Sequence, residues 1–455
     1  MADKARVSPA RRAAFEILLR VERDQAWASE LLNTPRMDQL TRENRALAYE
    51  LVMTCLRWQS ALDLRIANYC SQKISRLDPE VRIALRLGAC QLAYLERIPA
   101  HAAVHESVEL VKLAGKRSAE PLANAVLRKV AAHASKKATT SPQEDAESAA
   151  SLARQLAHPE WMVERWINIY GYDAARAICE SDQRPVQAAL RLTTPEAAAE
   201  LTEAGLELAP GVLLASARRL VHGMVAATTA FHEQRAAVQD EASQLVAALV
   251  GHGSRILDCC AAPGGKTAAI ALRNPQSEIT AVELHPHRAR LLEARVAALN
   301  AKPGVKVLTG DITQMEFPAQ FDRILTDVPC SGSGTLAANP EIRWRLKPED
   351  LVPLQHLQIS ILRAALACLA SGGRLVYSTC SLEPEEGEQV VEEILHQADG
   401  VSLLDAATVL DELKAEGELA WGEPHNLVRR GFLRTLPGRH PCDGFFAAVL
   451  ERRSS

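Results

Sequence analysis

The sequence contains no apolar run that reaches the roughly 18 to 20 residues a membrane-spanning helix needs. Its N-terminal stretch, MADKARVSPARRAAFE, lacks the apolar core of a secretory signal peptide. Both absences argue against a membrane or secreted protein, and we expect a cytoplasmic one. The 455 residues are 47% hydrophobic and 24% charged, an ordinary globular composition. At about 150 residues per domain, this length predicts two to four domains.

Paired CxxC spacing is also missing, although the chain has ten cysteines. This absence argues against a disulfide framework and against a zinc site, so we predict no metal. In a reducing compartment most of these thiols serve as small buried apolar side chains. One or two of them remain candidates for a reactive role.

A strong net charge of one sign is absent too, since the total is −4. The distribution is uneven, because residues 1–137 carry 23 Lys and Arg against 15 Asp and Glu, a net charge of +8. The remaining chain is therefore acidic, at −12. A basic N-terminal segment favours contact with a polyanion. Alternatively, the same charge is explained equally well by a helical surface rich in solvated arginines.

Residues 8–132 show helical periodicity, and Ser8-Pro9 is typical of an N-cap followed by proline. We predict an all-α domain over residues 1–132, with helices at 45–58, 62–70, 79–95, 103–113 and 121–130. The stretches RIPAHAAVHESV at 97–108 and ANAVLR at 123–128 resemble the NusB-like RNA-binding domain. Residues 133–150 are polar and small, which predicts a linker.

Residues 254–267, SRILDCCAAPGGKT, indicate a buried strand, a glycine turn and the start of a helix. Glycines let the backbone approach a ligand closely, and a helix N-terminus offers unpaired N–H groups. The downstream rhythm of strands and helices predicts a Rossmann-like α/β domain over residues 236–455. The cofactor-binding residues predicted in the turn are Cys260, Ala261, Ala262, Pro263, Gly264, Gly265 and Lys266.

Four further predicted strands end at a polar or reactive residue, and ligands of open α/β sheets bind beyond such ends. Glu283, about twenty residues past the turn, is placed to bind ribose hydroxyls. Asp311 is placed to accept from an adenine amino group. Neither acid distinguishes a dinucleotide-binding site from a site for S-adenosylmethionine. The methyl donor is favoured because the turn lacks G-x-G-x-x-G spacing and because Asp327-Val328-Pro329-Cys330 ends a strand.

Three ordered motifs carry a specific resemblance: DCCAAPGGKT at 258–267, DVPCSGSGT at 327–335 and YSTCS at 377–381. They resemble the RNA 5-methylcytosine methyltransferases. Together with the NusB-like front end, the chain resembles the RsmB (Sun/Fmu) family of bacterial 16S rRNA methyltransferases over almost its full length. The resemblance implies a small, partly ferredoxin-like α+β domain over residues 151–235. One departure is Glu283, where relatives often have Asp.

The resemblance also implies the chemistry. C5 of cytosine is too weak a nucleophile to take a methyl group unless a thiolate first adds to C6. Spacing alone does not tell which cysteine attacks, but the resemblance assigns attack to Cys380 and product release to Cys330. Asp327 is expected to bind the cytosine at N3 and its amino group, and it is also predicted to be a cofactor-binding residue. Arg343, Trp344 and Arg345 follow the Pro-Cys loop and suit either RNA contact or an exposed helix start.

The expected reaction is methylation of cytosine 967 of 16S rRNA by a covalent Cys–C6 adduct. A 5-methylcytosine methyltransferase acting on tRNA or on another ribosomal cytosine is one alternative, and a non-catalytic NusB-type RNA adaptor is another. We expect 16S rRNA as partner, no membrane, no obligate protein partner and a monomer.

Overall fold

The computed structural model describes residues 7–133, 148–299 and 304–453. The chain divides into two compact units, and one of them combines Met1–Pro185 with Leu336–Arg345. The other comprises Val186–Thr335 and Leu346–Ser455. Within the described ranges, no helix is both long and apolar enough to cross a membrane. The predicted linker at 133–150 lies almost entirely outside the described residues, and the predicted domain boundaries stay predictions.

In the described residues of the N-terminal unit every regular element is helical, which agrees with the all-α prediction for residues 1–132. Residues 151–182, predicted to belong to the small α+β domain, contain only helices as regular elements as well. The α-helices of the unit are Pro9–Arg23, Ala28–Leu32, Pro35–Asp38, Arg42–Arg57, Gln59–Ala67, Pro79–Tyr94, Ala100–Leu113, Glu120–Ala132, Ala149–Gln155, Glu160–Tyr170, Tyr172–Asp182 and Ile342–Arg345. Ser8 occupies the N-cap of the first helix with Pro9 at its first position. The Ser8 hydroxyl accepts from Arg11 Nη1 rather than from the helix backbone. The buried face of this helix, including Phe15 and Leu18, joins the core of the bundle.

The other unit begins with a small antiparallel sheet. Its strands are β1 (Ala189–Leu192), β2 (Glu207–Pro210), β3 (Arg218–His222) and β4 (Ala236–Val238), in the order β2-β3-β1-β4. The helices Glu196–Glu203 and Thr229–His232 accompany it. Residues 212–214, between β2 and β3, form no strand, and the helix that follows β4 starts at Glu241. The carboxylate of Glu241 accepts the N–H groups of residues 212–214, so these cannot extend a ladder.

A nine-stranded sheet forms the centre of this unit. Its strands are β5 (Arg255–Asp258), β6 (Glu278–Glu283), β7 (Val305–Thr309), β8 (Phe321–Asp327), β9 (Leu369–Thr379), β10 (Val401–Leu404), β11 (Val428–Arg429), β12 (Phe432–Arg434) and β13 (Phe446–Arg452). The α-helices around it are Glu241–Leu249, Gly265–Arg273, Pro286–Ala297, Leu351–Ala367, Glu388–Gln397 and Ala406–Ala415.

The strand order is β11-β12-β13-β9-β8-β5-β6-β7, with β10 paired to β13. Strands β5 to β9 pair in parallel, whereas β13 runs antiparallel to β9. The order reverses direction between β5 and β8, and such a switch point opens a crevice at the carboxyl ends of the strands. The predicted fold class, an all-α domain, a small α+β domain and a Rossmann-like methyltransferase domain, is confirmed.

Near the C-terminus, β12 and β13 form an antiparallel pair. Strand β9 runs through Gly372 and Gly373. Strand β10 and the helix Ala406–Ala415 are additional elements that the periodicity did not indicate.

Candidate active site

The glycine turn after β5 adopts a backbone that only glycine accommodates easily. Gly264 caps the helix Gly265–Arg273 in the left-handed region, with φ of 94°. A Cβ at this position would lie 2.8 Å from Leu292 Cδ1. The backbone conformation therefore requires glycine here, and the first N–H groups of the helix lie at the carboxyl end of the sheet.

Lys266, in the first turn of that helix, bridges to the end of the neighbouring strand. Its ammonium donates a 2.7 Å hydrogen bond to Asp327 Oδ2. The other oxygen of Asp327 accepts from Ser378 Oγ at 2.9 Å. Burial lowers the pKa of Lys266, but the carboxylate of Asp327 outweighs burial and raises it above its ordinary value. The lysine is therefore a permanent cation between β5 and β8.

The two candidate catalytic cysteines meet beyond the ends of β8 and β9. Cys330 Sγ lies 3.4 Å from Cys380 Sγ. The contact follows from the parallel register of the two strands, which pairs Asp327 with Ser378. The two predicted motifs, separated by 50 residues in sequence, thus converge on one point.

The electrostatic surroundings of the two thiols differ. The contact with Cys380 raises the pKa of Cys330, and burial and the carboxylates of Glu386 and Asp327 raise it further. Cys380, in contrast, is close enough to Lys266 to interact with its ammonium. Two adjacent thiols do not ionise together readily.

Among the described residues, one carboxylate oxygen of each of the acids Glu283 and Asp311, which are predicted to bind a cofactor, has no hydrogen-bond partner. Glu283 uses Oε1 to accept from His285 N at 2.9 Å, and Asp311 uses Oδ1 to accept from Thr313 N at 2.9 Å. Glu283 is buried and Asp311 is exposed. Together with the glycine turn, these acceptors fit the ribose hydroxyls and the adenine amino group of S-adenosylmethionine.

The remaining residues of the predicted cofactor set lie around the turn at different depths. Gly264 and Ala261 are buried, Pro263 is exposed, and the others are half-buried: Cys260, Ala262, Gly265 and Lys266. Arg288 Nη2 donates to Ala262 O at 3.0 Å, which ties the turn to the next helix. Burial raises the pKa of the Cys260 thiol. This cysteine therefore remains a neutral thiol in the floor of the turn.

Neither interpretation offered for Arg343, Trp344 and Arg345 fits the structure. The segment Leu336–Arg345 packs within the N-terminal unit, where the side chain of Arg343 is 1% exposed. Arg343 donates to the carbonyls of Arg57 and Asp182 at 3.4 Å, at the ends of two helices. Such carbonyls lack intrahelical partners and attract cations, so the segment caps helices rather than binding phosphate.

The neighbouring side chains act in the same way. Trp344 Nε1 donates to Leu56 O at 2.7 Å. Arg345 Nη2 donates to Val21 O at 2.8 Å, near the end of the first helix. Glu341 is buried and accepts from Ala28 N at 2.7 Å. The local sequence showed the cations and the aromatic residue but not the carbonyls that they meet.

Sequence reasoning missed a polar cluster that surrounds the cysteine pair. Its members are Ser331, Gln358, Ser378, Ser381 and Glu386. Ser331 and Ser381 directly follow the two cysteines, and this position in the sequence could have indicated that they belong to the site. Glu386 stands in an acid-rich stretch, EPEEGE, where nothing in the sequence distinguishes one carboxylate from another.

Known proteins are similar to this chain over almost its full length. Residues 8–132 match the model of the NusB family, and residues 248–451 match that of the 16S rRNA methyltransferases RsmB/F. A probable ribosomal RNA small subunit methyltransferase B from Bacillus subtilis is 33% identical, covering 97% of this chain and 98% of its own. Ribosomal RNA small subunit methyltransferase B from Salmonella typhi is 32% identical, covering 97% and 98% respectively.

Solved structures show the same fold. The crystal structure of PH0851 aligns with a TM-score of 0.79 and 23% identity, covering 97% of this chain and 98% of its own. A methyltransferase homologue from Pyrococcus horikoshii aligns with a TM-score of 0.56 and 25% identity, covering 69% and 100%. The full-length matches above 30% identity, the two ordered family segments and the converging motifs lead to one conclusion: the chain belongs to the RsmB/F family of methyltransferases.

Proposed function

We propose that this protein methylates C5 of a cytosine in 16S rRNA, with cytosine 967 as its target, through a covalent bond between Cys380 Sγ and C6. The 3.4 Å contact between the Cys330 and Cys380 thiols at the carboxyl end of the sheet carries the proposal. The relatives from Bacillus subtilis and Salmonella typhi, named as small-subunit rRNA methyltransferases, support the substrate class.

The chemistry needs a nucleophile because C5 of cytosine does not accept a methyl group unaided. Addition of the Cys380 thiolate to C6 pushes electron density to C5. The methyl donor of the family, S-adenosylmethionine, supplies an electrophilic methyl group carried on a sulfonium. After C5 is methylated, loss of the C5 proton to a base re-forms the C5–C6 double bond and expels the Cys380 thiolate.

The electrostatics support a division of labour between the cysteines. In this proposal Cys380 is the nucleophile because it lies close enough to the Lys266 ammonium to interact with it, and a neighbouring cation activates a cysteine. The carboxylates of Glu386 and Asp327 disfavour negative charge on Cys330. Cys330 then stays a thiol until the adduct forms, and it assists release next to the carbon–sulfur bond that breaks.

Asp327 is placed to hold the base. Lys266 and Ser378 fix its carboxylate between β8 and β9. In this role its oxygens bind the cytosine amino group and a proton at N3, which steadies the ring as charge develops. A base in this position must first be unpaired or flipped. The basic, NusB-like N-terminal unit is proposed to supply affinity for the RNA.

The test uses two cysteine variants and one matched control. Cys380→Ala should abolish methylation, measured by bisulfite sequencing of 16S rRNA from cells that carry only this variant. Cys330→Ala should leave a protein–RNA adduct on a denaturing gel. Cys368→Ala, which removes a half-buried thiol of the same unit, should behave like the unchanged protein. An adduct formed by Cys380→Ala instead would reverse the two roles.

A further inference from the structure

A buried carboxylate joins the two turns that carry the cysteines. Glu386 is 0% exposed and lies in the short turn Pro384–Glu386. Its Oε1 accepts from Ser331 N at 2.8 Å. Its Oε2 accepts from the Ser331 hydroxyl and, at 2.5 Å, from Ser381 Oγ. One side chain therefore binds the residue after Cys330 and the residue after Cys380.

The peptide before Cys330 is held by the same cluster. Gln358 Nε2 donates to Glu386 Oε1 at 2.9 Å and to Pro329 O at 2.9 Å. The backbone of Glu386 is fixed in turn, because its carbonyl accepts from Tyr377 OH at 2.7 Å. The residues on both sides of Cys330 are thereby held, and Glu386 is itself fixed to strand β9 through Tyr377.

The carboxylate of Glu386 accepts hydrogen bonds from four donor groups, none of which carries a positive charge. Among the described residues, no lysine, arginine or histidine forms an ion pair with Glu386, whereas Glu388, two residues later, pairs with Arg434. Burying a carboxylate without a cation is costly, and an apolar or amide side chain would fill the space at lower cost. The position is thus poorly explained by packing alone.

We propose that Glu386 is a positioning residue that holds the Cys330 thiol against Cys380. Its four hydrogen bonds set the distance between the two sulfur atoms, and the Cys330 thiol then lies beside the bond that must break when the product leaves. This role deepens the proposed methylation and rests on it for its biological purpose. The positioning itself is a property of the protein without RNA.

Two substitutions of Glu386 distinguish the effect of its hydrogen bonds from the effect of its negative charge. In Glu386→Gln, the amide oxygen can accept from Ser331 N and Gln358, and the amide NH₂ can donate to the two serine hydroxyls. This variant loses the charge and keeps the bridge, whereas Glu386→Ala loses both. Glu388→Ala removes a neighbouring half-buried acid that pairs with Arg434, and it controls for a general loss of stability.

The first measurement needs no RNA. Each protein is treated with oxidised glutathione, and the Cys330–Cys380 disulfide is followed by peptide mass spectrometry. The two thiols lose two protons and two electrons, and one oxidised glutathione becomes two glutathione molecules. Both Glu386 variants lose the same charge, so they are compared with each other, and Glu386→Ala should cross-link about tenfold more slowly than Glu386→Gln. Glu388→Ala should stay within about twofold of the unchanged protein.

Equal rates in Glu386→Ala and Glu386→Gln would overturn the proposal, as would a comparable slowing in Glu388→Ala. The second measurement adds RNA, and Glu386→Ala should then accumulate the adduct that Cys330→Ala traps, with kcat reduced more than KM is raised. Slower cross-linking without any adduct in either variant would support the positioning role and reject covalent methylation. The two proposals therefore fail separately.

Discussion

Lys266 Nζ and Asp327 Oδ2 form a 2.7 Å ion pair that links the glycine turn to the Pro-Cys motif. The two residues are 61 positions apart in sequence and meet because β5 and β8 are neighbours in the sheet. The ammonium also lies 4.9 Å from the centroid of the Phe445 ring. One cation thus connects the predicted cofactor turn with the carboxylate proposed to hold the cytosine.

Replacing Lys266 by methionine should leave Asp327 without its cation and Cys380 without a nearby positive charge. We expect kcat for methylation to fall by about 10²-fold, the usual loss when one preorganised charge is removed. Lys266→Arg should keep part of the activity, and Lys306→Met, at an exposed lysine on β7, should keep all of it. Tritium transfer from labelled donor to rRNA measures the rate. Full activity in Lys266→Met would remove the lysine from the proposed chemistry.

Gly264→Ala tests whether the turn shapes the cofactor site. The new Cβ would lie 2.8 Å from Leu292 Cδ1 on a backbone with φ of 94°, so either the Leu292 side chain or the turn must shift. We expect the dissociation constant of S-adenosylmethionine to rise at least about tenfold. Gly400→Ala is a matched control, because Gly400 also has positive φ but a Cβ added there would meet no atom within 4 Å. Calorimetric titration compares the two, and equal affinities would show that the turn does not contact the cofactor.

Asp258 should make the stability of the protein depend on pH. Burial raises the pKa of its carboxyl to about 7 from 3.8, and the charge of Asp327 adds to this effect. Between these values the unfolded chain has lost the proton that the folded chain keeps. Rising pH therefore favours unfolding until the folded carboxyl also ionises, near pH 7.

The variant Asp258→Asn should remove this dependence. Relative to the unchanged protein it should gain up to about 4 kcal/mol between about pH 4 and about pH 7, at about 1.4 kcal/mol for each pKa unit. Urea unfolding across this pH range measures the gain. The exposed Asp399→Asn should show no trend. A constant difference between Asp258→Asn and the unchanged protein would mean that the carboxyl titrates normally.

Arg343→Met tests the capping role of the segment Leu336–Arg345. The three carbonyls that accept from the buried guanidinium would lose their donor, and the N-terminal unit should lose about 2–4 kcal/mol. Tryptophan fluorescence during urea unfolding reports this, because five of the six tryptophans belong to that unit. The exposed Arg363→Met should be neutral. Weaker RNA binding at unchanged stability would instead support phosphate contact.

The sequence by itself determined the order and type of most elements and the location of the chemistry. The glycine turn requires glycine at residue 264 for local reasons, and the strand ends at Glu283, Asp327 and Cys380 follow from apolar runs that stop at polar residues. Helices of the N-terminal unit were predictable within a few residues because their apolar stripes repeat every turn. These features depend on interactions over a few neighbouring positions.

The tertiary structure alone decided which groups meet. From its sequence context Arg343 resembles an ordinary surface cation. In the structure it is buried, and it donates to three backbone carbonyls that are distant in the chain. Glu386 is one acid among several until the sheet brings Ser331 and Ser381 to its two oxygens. The distance between the Cys330 and Cys380 thiols depends on the register of β8 and β9. Local sequence does not predict these contacts, because most of the partners are far apart in the chain. They interact only when non-local packing brings them together and excludes the water between them.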